Sequence, residues 1–282
     1  MRSDAVTQGR QATSELCSEL NGIKEGDAAP LDQTVRERLN QVALERDLRP
    51  STRIAYQRAM TQLGILDEPV ATVTQQQVTD ALWALSNPNT RRGAAIAARS
   101  ILGFNLKIGK SVPRRYQLPD EDTLRLALMT SPHEVRGLLM MFCALRLGEA
   151  CAITRADLSG DRLRVARQIQ ALRETGKATI VRVTETKTPA AQVVIPGWLA
   201  ERVQGLTETA KPDGVRESLR RAGARVGIKL NPHQLRHWSI TTMIERGLPL
   251  ELVRQQARHS DISITLSHYQ EYSTDQIHDV FG

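Results

Sequence analysis

Six side chains that could together transfer a phosphoryl group stand in one order in the second half of this 282-residue chain: Arg146, Lys187, His233, Arg236, His259 and Tyr269. Arginines can grip the nonbridging oxygens of a phosphodiester in a bidentate fork, a lysine or histidine can give a proton to a leaving oxygen, and a phenol can attack phosphorus. The densest piece reads Asn231-Pro232-His233-Gln234-Leu235-Arg236-His237. Asn231 is a natural N-cap and Pro232 a natural first helical residue. His233 then falls in the first turn, beside backbone N–H groups that a helix leaves unpaired and at the positive end of its dipole. Arg236, three residues on, shares that face. In isolation such a pair reads as a cap and a solvated face. His233 and His237 also have the i, i+4 spacing of zinc ligands, but no glutamate follows His233 and no cysteine pair accompanies them, so no metal is expected.

The other four candidates depend on their neighbours. Arg146 lies in the apolar run Cys143-Ala144-Leu145-Arg146-Leu147-Gly148-Glu149-Ala150. A buried guanidinium needs an anion, and Glu149 is the partner in sequence, so a plain ion pair is one reading and a phosphate ligand another. Lys187, in Glu185-Thr186-Lys187-Thr188-Pro189, falls in a turn between two predicted strands. His259 precedes Ser260 near the end of a predicted helix. Of the four tyrosines, Tyr56 belongs to the first predicted domain and Tyr116 to a linker, which leaves Tyr269 or Tyr272. A phenol of pKa about 10 is ionised to only ~0.1% at neutral pH and needs nearby cations or a base before it attacks.

Periodicity gives the frame that must position these groups. Residues 1–30 read as a flexible leader with one helix over 15–24, and residues 31–109 as a four-helix domain. Its helices are expected over 31–45, from Ser51 as N-cap, over 74–85 with Gln77 in a capping-box position, and from Asn87-Pro88. Arg91, Arg92 and Arg99 lie on the fourth. Residues 110–119, with two prolines, form a linker. A second domain over 120–282 opens with Asp120 at a helix start, and its helices are expected over 134–145, 148–153, 197–203, 214–225, 232–246, 249–257 and 260–269. The β-branched runs 163–165, 180–183 and 193–195 suggest one three-stranded antiparallel sheet. The fold class is mainly α with a small antiparallel β-sheet, an α+β catalytic domain behind a helical one.

A formal charge of +7 and a pI near 9.7 favour a polyanionic partner, although such a surplus also simply keeps a protein soluble. Cys17, Cys143 and Cys151 are odd in number and two sit in apolar surroundings, as reduced core cysteines do. No run approaches the roughly 18 apolar residues of a membrane span and the start lacks a signal peptide's apolar stretch, so a cytoplasmic protein with no membrane partner is expected.

Followed by Arg258-His259-Ser260-Asp261-Ile262-Ser263-Ile264-Thr265-Leu266-Ser267-His268-Tyr269, the Asn231 segment closely resembles the C-terminal signature of the tyrosine recombinase (phage integrase) family. The resemblance covers roughly residues 31–272. It implies a SAM-like core-binding domain followed by a catalytic domain, with Arg146, Lys187, His233, Arg236 and His259 around the scissile phosphate and Glu149 supporting Arg146. In related sequences the nucleophile follows the His-Ser motif by nine or ten residues, which selects Tyr269; Lys187 matches the family's general acid better than Lys177. The implied reaction forms a 3′-phosphotyrosyl bond and a free 5′ hydroxyl, with neither ATP, metal nor any other cofactor. The implied partners are double-stranded DNA carrying a specific core site, read in part by Arg91, Arg92 and Arg99, three further protomers in a synaptic homotetramer with residues 273–281 docking on a neighbour, and a directionality factor. The work place is the cytoplasm or nucleoid, in a host cell if the gene is phage-borne. The first role considered is a phage or mobile-element integrase. A plasmid or chromosome multimer resolvase, a type IB topoisomerase and a catalytically disabled DNA-binding regulator are the alternatives. Ala144 and Arg258 depart from the family's usual glycines, which implies a less tight backbone at 144 and a differently shaped helix end at 258.

Overall fold

The computed structural model describes residues 33–112, 118–172, 180–186 and 190–259. The helices expected over 15–24 and 260–269 lie outside these residues. The chain divides into two compact units, Met1–Pro113 and Arg114–Gly282.

Four α-helices build the first unit: α1 Val35–Glu45, α2 Pro50–Gln62, α3 Gln75–Ala84 and α4 Pro88–Leu102. Local capping chemistry sets their starts. Thr34 and Glu37 form a capping box, so α1 begins at Val35 rather than at residue 31. Helix α2 is capped by Arg49 and not by Ser51, because Pro50 fits the first helical position, where its missing N–H leaves nothing unpaired. Thr74 and Gln77 make the expected capping box of α3, and the Asn87 side chain accepts from the N–H groups of Asn89 and Thr90 at the head of α4. Small buried residues on α4, Ala94, Ala97 and Ala98, let it pack against α1, α2 and α3 around Val35, Leu39, Met60 and Val78. The α4 arginines hold the chain around them. Arg91 donates to Leu85 O (2.7 Å) and lies 4.5 Å over the Trp83 ring, Arg92 donates to Gly109 O (2.6 Å), and Arg99 donates to Leu106 O.

The second unit is mainly helical with two small antiparallel sheets. Its elements are α5 Glu121–Met129, α6 Glu134–Phe142, α7 Leu147–Ala152, β1 Leu158–Ser159, β2 Arg162–Val165, β3 Arg167–Leu172, β4 Ile180–Glu185, β5 Ala191–Val194, α8 Gly197–Val203, α9 Pro212–Arg225, α10 Pro232–Glu245 and α11 Leu250–Ala257. The single sheet expected from three runs is in fact two. Strand β2 pairs with β1 and with β5, placing Leu163 opposite Val193, whereas β4 pairs with β3 from Arg167↔Glu185 to Leu172↔Ile180. Strand β3, Arg-Gln-Ile-Gln-Ala-Leu, has no strong apolar alternation, so its sequence gives little sign of a strand. The α6 helix also stops at Phe142, three residues short of expectation, because Ala144 turns into the left-handed region at φ +51°.

Helices α6 and α10 pack together, and α7 packs on β3, over a core that includes Leu139, Met140, Leu145, Leu163, Leu199 and Leu235. Cys143 and Cys151 are free and fully buried in this core, and burial pushes both thiols up to about 12. Gly148 is required where α7 meets β3: a Cβ there would lie 2.7 Å from the backbone oxygen of Ile169. A backbone atom in a sheet cannot step aside as a flexible side chain would. Gly148→Ala is therefore expected to destabilise the protein by about 1–3 kcal/mol, read as a lower Tm, and to displace Arg146 two residues upstream. Among the described residues no helix is long and apolar enough to cross a membrane.

Candidate active site

A cleft of about 400 Å³ opens where the start of α7, the first turn of α9 and the first turn of α10 meet. Arg146, Arg216, His233 and Arg236 line it, with Leu145, Leu147, Asn231 and Pro232 forming the rest of the wall. Three of these four cationic or imidazole groups are the expected Arg146, His233 and Arg236; Arg216 is an addition that the sequence does not mark. On α9 that residue pairs with Asp213 at 2.7 Å, and Arg220 and Arg221 pair with Glu217, a pattern that looks like an ordinary solvated helix face.

Helix α10 begins as its sequence dictates. The Asn231 side chain accepts from His233 N (3.0 Å) and Gln234 N (3.1 Å), and the Gln234 side chain accepts from Asn231 N (3.0 Å). This corrects one expectation: the first-turn N–H groups are not left unpaired beside His233, since the cap takes them. An anion in this cleft would be held by side chains and attracted by the helix dipole. His237, one turn along the helix, is buried and lies 3.3 Å from the Thr241 hydroxyl through Nδ1.

Arg236 is only 5% exposed. Its Nη1 donates to Ala144 O and its Nη2 to Ala257 O (2.6 Å), so one guanidinium joins the turn after α6 to the end of α11. Burial first, and then the charge of Arg146, push this group down to about 9, with Arg258 adding to the shift and Glu149 opposing it. It stays cationic at neutral pH.

Arg146 precedes α7. Its backbone N–H donates to Glu149 Oε2 (2.6 Å), its Nη1 to Glu149 Oε1 (3.1 Å), and its Nη2 to Arg258 O (3.2 Å). With its side chain 35% exposed, Arg146 is at once the partner of Glu149 and part of the cleft wall, so the ion pair does not withdraw it from the cleft. Glu149 is itself fully buried and also accepts from Nη2 of Arg258, whose guanidinium is buried too. The departure of Arg258 from the family's glycine gives no sign of this bond, whose partners lie 109 positions apart.

The backbone at the two departures from glycine is not what their side chains suggest. Ala144 and Arg258 adopt φ +51° and +53°, the left-handed region, so neither the relaxed backbone at 144 nor the altered helix end at 258 is found. Arg258 N donates to Gln255 O and His259 N to Arg254 O, the pattern of a glycine-terminated helix. Such a conformation costs an L-residue roughly 1–2 kcal/mol. Hydrogen bonds from Arg236 to the carbonyls of Ala144 and Ala257, and from Arg146 to that of Arg258, hold the chain there. His259 is buried, and Arg254 Nη1 donates to its carbonyl (3.1 Å). Its backbone lies one peptide bond from the carbonyl that Arg146 holds. Lys187, Tyr269 and Tyr272 lie outside the described residues.

Burial by itself raises Glu149. The charge and hydrogen bond of Arg258, with the N–H and charge of Arg146, outweigh it and leave the carboxyl below its ordinary value of about 4.5. A carboxyl depressed in the folded state stabilises the protein fully above its unfolded value and loses that contribution as pH falls through the folded one. Glu149→Gln is accordingly expected to show a flatter decline of Tm below about pH 4.5 than wild type, measured by thermal melts in a pH series.

Residues 120–275, more than half of the chain, match the phage integrase family. The tyrosine recombinase XerA of Thermococcus onnurineus is 26% identical over 182 aligned positions, with 56% of this chain and 58% of that protein covered. The chain thus spans little more than half the length of that relative. The tyrosine recombinase XerC of Histophilus somni is 26% identical over 268 aligned positions, with 80% of this chain and 88% of that one covered. Among solved structures, the Tn1549 transposon integrase in complex with transposon right end DNA superposes with a TM-score of 0.62 at 15% identity, over 89% of this chain and all of that one. A lambda integrase dimer bound to a core site gives 0.61 at 17% identity, over 95% of this chain and 86% of that one. At such identities the likeness is one of fold.

Proposed function

The chain belongs to the phage integrase family of tyrosine recombinases, and from that premise we propose that it cleaves and rejoins double-stranded DNA at a specific core site. Arg146 and Arg236 hold the nonbridging oxygens of one phosphodiester, with His233 and His259 beside it. The Tyr269 phenol gives its proton to a neighbouring imidazole and its oxygen attacks phosphorus; the bond to the 5′ oxygen breaks, that oxygen taking its proton from Lys187. The products are a 3′-phosphotyrosyl bond and a 5′ hydroxyl. A 5′ hydroxyl from a partner duplex then gives its proton back to Lys187, attacks the same phosphorus and joins the strands, and the departing phenolate recovers its proton from the imidazole. Each step exchanges one phosphate ester for another, so no ATP is consumed, and the guanidiniums neutralise the transition state's charge in place of a metal.

The observation that carries this reading is that Arg146, His233 and Arg236, drawn from two distant segments, line one cleft of phosphate-accepting character. The structural neighbours that are integrases complexed with DNA support a duplex as the partner. Arg91, Arg92 and Arg99 of the first unit would contact that duplex. Each guanidinium has five N–H donors, and the bonds to Leu85, Gly109 and Leu106 fix its position while leaving others for phosphate or base edges. We place the protein in a four-protomer synaptic assembly in the cytoplasm, assisted by a directionality factor, and assign it to integration of a phage or mobile element. Resolution of plasmid or chromosome multimers would use the same chemistry.

The test is a nicked suicide duplex carrying an inverted-repeat core sequence, to be located by searching the DNA that flanks the encoding gene. A covalent adduct should form and map by mass spectrometry to a 3′-phosphate on Tyr269. Specific binding without any adduct would instead show a DNA-binding regulator. Relaxation of a supercoiled plasmid lacking a recombination partner would point to a topoisomerase, and comparing a two-plasmid with a one-plasmid substrate separates integration from resolution.

A further inference from the structure

A carboxylate beside a phosphate-binding arginine competes with the phosphate for it. Both oxygens of the buried Glu149 accept hydrogen bonds from Arg146, at 3.1 Å from Nη1 and 2.6 Å from the backbone N–H. Were Arg146 the sole counter-charge, that pair would be neutral, as the Arg216–Asp213 pair is, and the positive field of the cleft would rest on Arg236. Arg258 changes the balance. Its guanidinium, on a residue only 5% exposed, donates through Nη2 to the Glu149 oxygen that also takes the Arg146 N–H. The trio of Arg146, Arg258 and Glu149 therefore carries one more positive than negative charge, next to Arg236 on α10.

Ending a helix does not require this residue. Glycine fills the left-handed position without strain, whereas arginine adopts it at a cost and brings a cation into the interior. Among the described residues Nε and Nη1 of Arg258 have no hydrogen-bond partner, so what offsets the burial of its charge there is the ion pair with Glu149. We propose that Arg258 is a positioning residue of the phosphate cleft: by taking up the charge of Glu149 it leaves Arg146 attractive to a phosphate, while its own carbonyl holds Arg146 Nη2 at the cleft wall. It acts through Glu149 and Arg146 and touches no substrate. The inference rests on the reading of the cleft proposed above.

The experiment uses the full chain with Arg258→Met, Arg258→Lys and the double variant Glu149→Gln/Arg258→Met. Two quantities are measured: affinity for inorganic orthovanadate, a phosphate analogue, by thermal shift, and the rate of adduct formation at saturating suicide duplex. Arg258→Met is expected to weaken vanadate binding and slow the adduct by about tenfold each, with the half-saturating DNA concentration unchanged. Arg258→Lys should retain most of both. The double variant should return to within about threefold of wild type, because removing the carboxylate's charge removes the competition that Arg258 relieves. That recovery is the readout a helix stop would not give, and the double variant also serves if Arg258→Met alone does not fold. Wild-type values in Arg258→Met, or a double variant no better than the single, would overturn the proposal. If wild type forms no adduct, the catalytic reading fails and the vanadate arm still decides the role of Arg258; if wild type also binds no vanadate, the proposal fails with it.

Discussion

Tyr269→Phe keeps specific DNA binding within about twofold of wild type and lowers covalent adduct formation by ~10⁴-fold or more. The change removes one oxygen and preserves the ring, so packing and duplex affinity have little reason to move. The groups that line the cleft do not replace that oxygen, because guanidiniums are not nucleophiles and the imidazole of His233 is suited to moving a proton. A gel-shift titration and the suicide-duplex assay measure the two quantities side by side. Undiminished adduct in Tyr269→Phe, with its loss in Tyr272→Phe, would transfer the role to Tyr272. Undiminished adduct in both would remove tyrosine from the mechanism.

The second large effect belongs to Arg236, where structure and chemistry depend on the same fork. Arg236→Ala strips two interior carbonyls, of Ala144 and Ala257, of their donor, and each unsatisfied acceptor costs about 1–3 kcal/mol. The variant should lose about 3–5 kcal/mol of stability, and the left-handed turn at Ala144 should relax. Adduct formation should fall by ~10³-fold for want of a transition-state cation. Arg236→Lys separates the two roles. An ammonium keeps the charge but is a point donor without the planar fork, so it can satisfy one carbonyl while the other goes short. About half the stability loss is expected, with adduct formation still down by ~10²-fold. Thermal melts and single-turnover cleavage at a temperature where both variants are folded give the comparison. A lysine variant that is unstable yet cleaves at the wild-type rate would make Arg236 a strut between α6 and α11 rather than a phosphate ligand.

What could be read in the chain follows the range of the forces involved. The start of α10 was legible because capping is a contest among five consecutive residues, and Asn231, Pro232 and Gln234 all vote the same way. Thr74 and Gln77 were legible for the same reason, whereas at Pro50 the proline outcompeted Ser51 for the helix start. The turn at Ala144 was not legible, since alanine prefers a helix and the force that overrides it comes from a guanidinium 92 positions away. The Arg258–Glu149 pair is equally remote, 109 positions apart, so neither local spacing nor propensity announces it. Arg216 was masked by its local pairing with Asp213. The two sheets were misread as one because strand propensity says which runs are extended and nothing about which edge each will join. Lys187 and Tyr269 were assigned by resemblance to a family, and the experiments on the adduct are what test them.

Phe142, where α6 ends, lies edge-on to Trp238 at 5.8 Å and to Trp198 at 5.2 Å. Trp238 is 8% exposed and sits two residues past Arg236, while Trp83 of the first unit is 68% exposed. Ultraviolet emission from the unlabelled protein consequently comes in distinguishable colours, a blue component from the interior Trp238 and a redder one that acrylamide quenches from Trp83 and Trp198, which is 39% exposed. A change confined to the blue component would register loosening behind the arginines before any loss of helical circular dichroism.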